Sequence, residues 1–512
     1  METQLKKKLP KVLLVNPPQK IYPHAWNSGL YFPVGLLYVA GVIREICELK
    51  ILDCMVDDFE IKKCDSYELQ GTPENIIRDT IKEFNPDIVG ITIPFTSQSD
   101  NGLNVCNIVK EIKEDYIVVL GGPDPSIRSD YLLNNSKADF CVIGEGEETF
   151  PEIINNFLEG KEITGIQGVA YKKKKGTEII KIDRPFIKDL DKLPFPAYDL
   201  INVKEYLKSE FFYAGRMYEP LKMTIISSRG CPYNCVFCSI KLSMGKPFRY
   251  HSADYTIKHM NHLINTYGIQ TFHFEDDNLS LHTPRFNEML DKMIEKKMNI
   301  RWSVPNGLRA DTFTYEILDK MKESGCTEVR VGIESANQEV LDKIVKKDTD
   351  VKYIFKMLKY CHKINLPSSA FWIIGFPGET IANMEETIDV ALELYKNYNV
   401  TPLFSIATPL YGTELYHESL KNGFINKDLT DEDFAEATRM EGKNLIETLD
   451  FTIDDISKIS VDYEKRFQKI RSTKKRMHKL NRFNKKLIRF SKSPFSTIKR
   501  VAQRSIAIGL PN

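Results

Sequence analysis

Three cysteines lying close together are the residues of this chain best suited to chemistry. Cys231, Cys235 and Cys238 follow the pattern Cys-x-x-x-Cys-x-x-Cys, and Gly230 and Pro232 beside them indicate a loop. Thiolates at this spacing suit an iron–sulfur cluster, which normally takes four protein thiolates. Because only three are present, one iron stays open and can bind a substrate or a cofactor.

Zinc is the competing prediction for these cysteines. A tetrahedral structural zinc site needs a fourth cysteine or histidine at motif-like spacing. His251 is the nearest candidate, and no second cysteine pair follows it. The sequence therefore favours the cluster over zinc.

The same run carries a family resemblance. Cys-x-x-x-Cys-x-aromatic-Cys, with Phe237 as the aromatic residue, resembles the signature of the radical SAM superfamily. The resemblance implies a 4Fe–4S cluster on Cys231, Cys235 and Cys238, whose open iron binds S-adenosylmethionine (SAM). It also implies that one electron from the cluster cleaves SAM and that the protein binds, orients and shields the reactants. A flavodoxin- or ferredoxin-like protein is the expected electron donor.

Three later segments resemble the SAM-binding segments of this superfamily. One follows a predicted strand with consecutive carboxylates, which can accept hydrogen bonds from the SAM ammonium group. The second resembles the segment that contacts the SAM ribose or carboxylate, and the third resembles the adenine-side loop. A structural alternative is that these acids only cap the helices that follow. The implied SAM-binding residues are Phe237, Glu275, Asp276, Asp277, Glu334, Ser335 and Gly375.

The N-terminal part carries a second resemblance, to the cobalamin-binding domain that precedes many radical SAM domains. It lies in residues 31–40, 118–123 and 142–147. The Asp-x-His-x-x-Gly loop that supplies a histidine to cobalt in other cobalamin enzymes is absent, and His24 is the only histidine before His251. The resemblance thus implies cobalamin without a protein histidine on cobalt; a domain that holds no cofactor is the alternative. The implied cobalamin-binding residues are Gly121, Gly122, Gly144, Glu145 and Gly146.

Short apolar runs that alternate with helical patterns predict an α/β protein. In residues 1–160 they predict a Rossmann-like parallel sheet, which binds ligands beyond the carboxyl ends of its strands. Residues 161–220 are predicted to form a connector. In residues 221–424, six strand–helix repeats predict a partial (β/α)6 relative of the TIM barrel, with the cysteine loop at its C-terminal mouth. Residues 425–512 are predicted to form helices followed by a basic tail.

Composition predicts a soluble protein of two or three domains. The chain has 512 residues, of which 42% are hydrophobic and 28% charged. No apolar run is long enough to cross a membrane, and no signal peptide pattern is present. Ten cysteines without a pairing pattern fit a reducing cytoplasm.

The charge is distributed unevenly along the chain. Residues 465–512 contain 16 Lys and Arg and no Asp or Glu, although the whole chain has a net charge of +1. A basic helix with an apolar stripe is typical of peripheral binding to an anionic membrane. Docking on the acidic remainder of the chain is an alternative, and nucleic-acid binding is not expected because no recognisable module accompanies the tail. The stripe positions are Met477, Leu480, Phe483, Leu487 and Phe490.

The two resemblances cover about residues 10–425. Their order is that of class B radical SAM methyltransferases and of some anaerobic cyclases, and it implies methylation of an unactivated carbon on a small-molecule substrate. A tail bound to a membrane would let the enzyme collect a lipid or lipid-linked substrate from the bilayer. One alternative is a radical cyclisation, rearrangement or carbon–carbon coupling. Another is a non-catalytic iron–sulfur or SAM-binding module at a membrane.

Overall fold

The structure, a computed structural model, describes most of the chain. It divides the chain into two compact units, Met1–Ile456 and Ser457–Asn512. His24 lies outside the described residues, as do the side chains of His478 and of residues 481–492. The described residues are 8–23, 30–173, 176–208, 221–437, 440 and 442–492.

The N-terminal region is built on a seven-stranded sheet, with a small three-stranded sheet beside it. Its strands, in chain order, are β1 (Lys11–Asn16), β2 (Gln19–Ile21), β3 (Glu48–Asp53), β4 (Glu60–Lys63), β5 (Glu68–Gly71), β6 (Ile88–Thr92), β7 (Ile117–Gly121), β8 (Phe140–Val142), β9 (Val169–Lys172) and β10 (Ile179–Lys181). The large sheet has the order β10-β9-β8-β7-β6-β1-β3, and β2, β5 and β4 form the small antiparallel sheet.

Five strands of the large sheet are parallel, and their runs of Val, Ile and Leu are buried because helices cover both faces. The antiparallel β9–β10 hairpin extends this sheet at one edge. The Rossmann-like architecture predicted from the alternating pattern is confirmed. The helices of this region are α1 (Val34–Ile43), α2 (Glu74–Phe84), α3 (Ser99–Ile112), α4 (Pro123–Asn134) and α5 (Gly146–Glu159), with a 3₁₀ turn at Thr96–Gln98.

The second sheet contains six parallel strands in chain order, as in a partial (β/α)6 barrel. They are β11 (Lys222–Ile225), β14 (Thr271–Phe274), β15 (Arg301–Ser303), β16 (Cys326–Glu334), β17 (Ser368–Ile374) and β18 (Thr401–Ile406), while β12 (Ser228–Arg229) and β13 (Arg249–Tyr250) form a separate pair. All six predicted strands are present. This fold places the residues that follow each strand at one mouth, where such barrels carry their chemistry.

Further helices precede, separate and follow these strands in the sequence. They are α6 (Val203–Lys208), α7 (Ile240–Ser243), α8 (Ala253–Tyr267), α9 (Thr283–Glu295), α10 (Tyr315–Glu323), α11 (Val351–Lys363), α12 (Ile381–Tyr398), α13 (Glu414–Lys421), α14 (Asp431–Glu436) and α15 (Ile453–Lys492). Short 3₁₀ turns occur at Leu190–Lys192, Tyr198–Leu200 and Ala310–Thr312, and a π-helix at Val340–Val345.

A buried ion pair connects the N-terminal region to α14. The Arg128 guanidinium of α4 donates hydrogen bonds to Asp124 at 2.7 Å and to Asp431 at 2.9 Å. Both partners of Arg128 are largely shielded from solvent, so each charge depends on the others for compensation. Asp431 thereby fixes α14 against α4.

The predicted helical C-terminal region is confirmed, and α15 dominates it. Within the described residues, no helix is both long and apolar enough to cross a membrane. Of the predicted apolar stripe, the side chains of Met477 and Leu480 are described, and both are exposed.

Candidate functional site

The cysteine loop is closed at its base by the strands β12 and β13, in which Arg229 pairs with Arg249. Gly230 begins the loop with a φ of 84°, and a Cβ atom there would lie 2.4 Å from the carbonyl oxygen of Pro247. Glycine adopts this conformation without a steric penalty. Gly230 therefore lets the chain turn sharply out of β12 at Cys231.

The three cysteines of the motif are half-buried thiols, and none forms a disulfide. Burial raises the pKa of the Cys238 thiol to about 12 and also raises the pKa values of Cys231 and Cys235. A cluster that binds here must therefore displace the thiol protons. Within the described residues, no three His, Cys, Asp or Glu side chains converge on a point suited to a single metal ion. A four-iron cluster is larger than one ion, and its thiolates do not meet at one point.

His251, the fourth ligand that a zinc site would need, has other partners. Its Nε2 atom lies 3.3 Å from the Tyr38 hydroxyl, and its Nδ1 atom lies 3.3 Å from a carboxylate oxygen of Asp191. Its ring also stacks on Tyr255, with 4.0 Å between the centroids. Burial, assisted by the nearby Arg229 cation, lowers the pKa of His251 to about 4. These contacts leave the zinc alternative without its candidate fourth ligand.

Two cations that sequence reasoning missed lie beside the cysteine loop. The Arg309 guanidinium stacks on the Tyr233 ring, 3.5 Å from its centroid. Lys347 is buried and forms an ion pair with Glu334. Burial raises the pKa of Cys235, and both cations oppose that rise. They supply positive charge where thiolates would gather, but no spacing distinguishes them among the 71 Lys and Arg of the sequence.

The three predicted SAM-binding carboxylates after β14 point in different directions. Asp276 is fully buried and accepts hydrogen bonds from the Ser227 N–H at 3.1 Å and the Ser227 hydroxyl at 2.8 Å. Asp277 accepts a hydrogen bond from the Gly230 N–H at 2.8 Å, and burial raises its pKa to about 6. Asp276 and Asp277 thus fix the chain just before the cysteines. Glu275 and Asp277 also line a cavity, whereas Asp276 does not.

The predicted SAM-binding residues after β16 have partners of their own. Glu334 adopts a φ of 71°, a left-handed conformation that is uncommon for a residue with a side chain, while it pairs with Lys347. Ser335 is fully buried, and its hydroxyl oxygen lies 3.2 Å from that of Thr387 in α12. Glu334 therefore lies on the side of the cysteine loop, whereas Ser335 joins β16 to α12.

The loop after β17 contacts the cysteine loop through two aromatic rings. Phe237 and Phe376 have ring centroids 5.9 Å apart. The N–H groups of Gly375 and Phe376 each donate a 2.9 Å hydrogen bond to Oε2 of Glu379. Burial raises the pKa of Glu379 to about 7, although these hydrogen bonds oppose the rise. Glu379, which sequence reasoning did not single out, thus holds the shape of the Gly375 loop.

A cavity of about 310 Å³ lies between the carboxyl ends of strands of the two sheets. Its N-terminal wall includes all five predicted cobalamin-binding residues, Gly121, Gly122, Gly144, Glu145 and Gly146. Its barrel wall includes Ile226, Ser228, Arg229, Met244, Glu275 and Asp277. A Cβ atom placed on Gly35 or Gly121, both in the lining, would meet nothing within 4 Å. These glycines leave room for a ligand, and no described lining residue is a histidine.

Glu145 differs from the glycines around it because its carboxylate is already bonded within the protein. One oxygen accepts hydrogen bonds from Arg229 at 2.8 Å and Arg249 at 2.6 Å. The other accepts one from the Ile187 N–H at 2.8 Å. The side chain therefore contributes to the wall of the cavity through protein contacts.

Comparison with known proteins agrees with this division of the chain. The Radical SAM superfamily model matches residues 225–391, and the B12 binding domain model matches residues 28–154. An uncharacterized methyltransferase of Pyrococcus horikoshii is 34% identical, over 82% of this chain and 85% of that protein. The cytidylyl-2-hydroxyethylphosphonate methyltransferase of Streptomyces wedmorensis is 28% identical, over 82% of this chain and 83% of its own length.

Among solved structures, the radical SAM methyltransferase TsrM from Kitasatospora setae, with cobalamin and a [4Fe-4S] cluster bound, has the same fold. It aligns with a TM-score of 0.65 at 17% identity, over 82% of this chain and 76% of TsrM. The cobalamin-dependent radical enzyme OxsB aligns with a TM-score of 0.61, also at 17% identity, over 90% of this chain and 62% of OxsB.

Fold and site thus define a radical SAM enzyme with a cobalamin-binding domain ahead of its barrel. The chain belongs to the family of cobalamin-dependent radical SAM methyltransferases. The cofactors are therefore a 4Fe–4S cluster, SAM and cobalamin. The three free thiols and the glycine-lined cavity fit this set.

Replacement of Cys231, Cys235 and Cys238 together by Ala should abolish the cluster, because they are the only thiols at ligand spacing. We expect loss of bound iron and sulfide, of the visible cluster absorbance, and of SAM cleavage after anaerobic reconstitution. Cys361→Ala is the matched control, since Cys361 is a buried thiol of α11, and this variant should keep the full iron content. Full iron content in the triple variant would contradict the assignment.

Proposed function

We propose that this enzyme transfers a methyl group to an unactivated carbon of a small-molecule or lipid-linked substrate in the cavity between the two sheets. One observation supports the proposal above others. A single cavity is lined both by the glycine loops of the B12-binding domain and by Glu275 and Asp277 beside the cysteine loop. A substrate carbon placed there would lie between the two cofactor sites.

In this proposal each wall of the cavity has a separate task. Cys231, Cys235 and Cys238 hold the cluster. Glu275 and Asp277 accept hydrogen bonds from the SAM ammonium group, since both line the cavity next to that loop. When bound, the cluster and SAM supply a carbon-centred radical, and cobalamin supplies the methyl group. The protein orients these groups and excludes water from them.

Other roles follow from the positions of the remaining loops. The Gly375 loop, shaped by Glu379, binds the adenine side of SAM, and Glu334 with Lys347 binds its polar end. The backbone at Gly121, Gly122, Gly144 and Gly146 approaches cobalamin closely, because glycine carries no side chain to keep the ligand away. Asp276 and Ser335 hold these loops in place through buried hydrogen bonds.

Incubation of the reconstituted enzyme with cobalamin, SAM and a chemical reductant tests this function. We expect both S-adenosylhomocysteine and 5′-deoxyadenosine, because one SAM gives a methyl group and another gives a radical. The triple cysteine variant is the control and should form no 5′-deoxyadenosine. Reduced flavodoxin or ferredoxin should replace the chemical reductant, since we propose such a protein as the electron donor.

Formation of 5′-deoxyadenosine alone would contradict methyl transfer and favour a cyclisation, rearrangement or coupling reaction. Absence of both products from protein that holds its full cluster would favour a non-catalytic SAM-binding module.

We also propose that the basic tail holds the enzyme on the cytoplasmic face of an anionic membrane, where it meets a lipid or lipid-linked substrate. Met477 and Leu480 of α15 are 58% and 60% exposed, among the basic residues of a helix that has no acidic residue after Glu464. Each basic residue near an anionic surface contributes roughly 1 kcal/mol. The apolar pair would add contact with the acyl boundary.

Truncation after Glu464 should remove most co-sedimentation with phosphatidylglycerol vesicles and leave SAM cleavage largely intact. The reason is that the cysteine loop and the SAM segments all precede residue 381. Higher salt should weaken binding of the full chain, because exposed charges are screened over about 10 Å at 0.1 M. Met477→Ser with Leu480→Ser keeps every charge and separates the apolar contribution from the ionic one. Equal sedimentation of full-length and truncated protein would eliminate the membrane role.

A further inference from the structure

Four charged side chains meet at the base of the cysteine loop, and we call them the arginine–glutamate clasp. Arg229 donates hydrogen bonds to Glu145 at 2.8 Å and to Glu147 at 2.6 Å. Arg249 donates to Glu145 at 2.6 Å. Glu145 lies in the loop between β8 and α5, and Glu147 lies in the first turn of α5. The two arginines face each other across β12 and β13. The clasp therefore links the B12-binding domain to the radical SAM domain.

Every member of the clasp is buried, with at most 8% of its surface exposed. The positive charges of the two arginines balance the negative charges of the two glutamates. Some of the remaining donors and acceptors of these side chains form hydrogen bonds with the backbone. Arg249 donates to the carbonyl of Met244 inside the cysteine loop at 2.8 Å, and Glu145 accepts from the Ile187 N–H. The Arg229 guanidinium also lies over the Tyr38 ring, 5.0 Å from its centroid.

Buried ion pairs contribute little to net stability, because the cost of desolvation offsets their attraction. Such pairs do fix geometry, since an arginine fork holds carboxylates at defined distances and angles. The clasp thus constrains geometry more than it stabilises the fold.

The position of the clasp gives this constraint a consequence for the reaction. Arg229 precedes Gly230 and Cys231 in the chain, and Glu145 and Glu147 flank Gly146 in the opposite wall of the cavity. Any movement between the two loops must stretch or break these hydrogen bonds. Reactions between bound groups are sensitive to misplacements of about 1 Å.

We propose that the arginine–glutamate clasp sets the separation between cobalamin and the 4Fe–4S cluster. Its members are positioning residues, because they act through the loops that hold the cofactors. This inference rests on the proposed function in one respect, that cobalamin occupies the cavity beside the cysteine loop.

Arg229→Lys is the sharpest test, because lysine keeps the balance of charge but cannot reach both glutamates with a rigid fork. The readout is magnetic. In the reduced holoenzyme, Co(II) and the reduced cluster both carry unpaired electrons, and their dipolar coupling in pulsed paramagnetic resonance reports their separation. We expect a shifted or broadened distance distribution, and Glu147→Gln should show the same change.

Asp431→Asn is the matched control. It removes another buried ion pair, between Arg128 of the B12-binding domain and Asp431 of α14, and neither of these residues lines the cavity. We expect a lower thermal midpoint in this variant and a distance distribution equal to that of the unmodified enzyme. A general loss of stability therefore cannot imitate the predicted result.

An Arg229→Lys distribution identical to that of the unmodified enzyme would overturn the proposal, as would an equal change in Asp431→Asn. If Arg229→Lys does not fold, Glu147→Gln decides in the same way. Failure of the unmodified chain to bind cobalamin is a different outcome, because it would contradict the proposed function rather than the clasp.

Discussion

Parallel strands bring their carboxyl ends to one edge of a sheet. The chemistry of this chain depends on that constraint in each of its two large sheets. The loops after β6, β7 and β8 and those after β11 and β14 face the same cavity. Neither sheet presents both cofactor sites by itself. The glycine loops belong to one sheet and the cysteine loop to the other, so the proposed reaction depends on the contact between them.

Charge compensation determines how that contact can be built. Three thiolates and a group of carboxylates would accumulate negative charge in a poorly solvated place, which is unfavourable without nearby cations. Arg309 and Lys347 supply positive charge at the cysteine loop, and Arg229 and Arg249 supply it to Glu145 of the cavity wall. The same arginines join the two domains. One network of charged side chains therefore both balances the charge and connects the B12-binding domain to the radical SAM domain.

Sequence reasoning predicted the parts of the molecule that depend on local patterns. The parallel strands of both large sheets followed from short apolar runs, because such strands are buried on both faces. The antiparallel strands β9 and β10, which lie in the predicted connector, did not. The cysteine motif followed from spacing, and the glycine loops from their positions after predicted strands. The family comparisons confirm the cofactors implied by these motifs.

The partners of these motifs could not be predicted, because they are far apart in the chain. Arg229 is 84 residues from Glu145, and Arg309 meets the cysteine loop only through the folded barrel. Among the three consecutive carboxylates, only the fold separates Glu275 and Asp277 in the cavity from Asp276 behind it. The π-helix at Val340–Val345 could not be predicted either, since its wider turns leave no periodicity signal over six residues.

A crystal structure of the anaerobically reconstituted enzyme with cobalamin and SAM would test the central claim directly, namely that both cofactors open into one cavity. We predict cobalamin against Gly121 and Gly144 without a histidine on cobalt. We also predict a cluster on Cys231, Cys235 and Cys238, with SAM on its open iron facing the cobalamin. Cobalamin bound outside this cavity, or a fourth protein ligand on the cluster, would contradict the account.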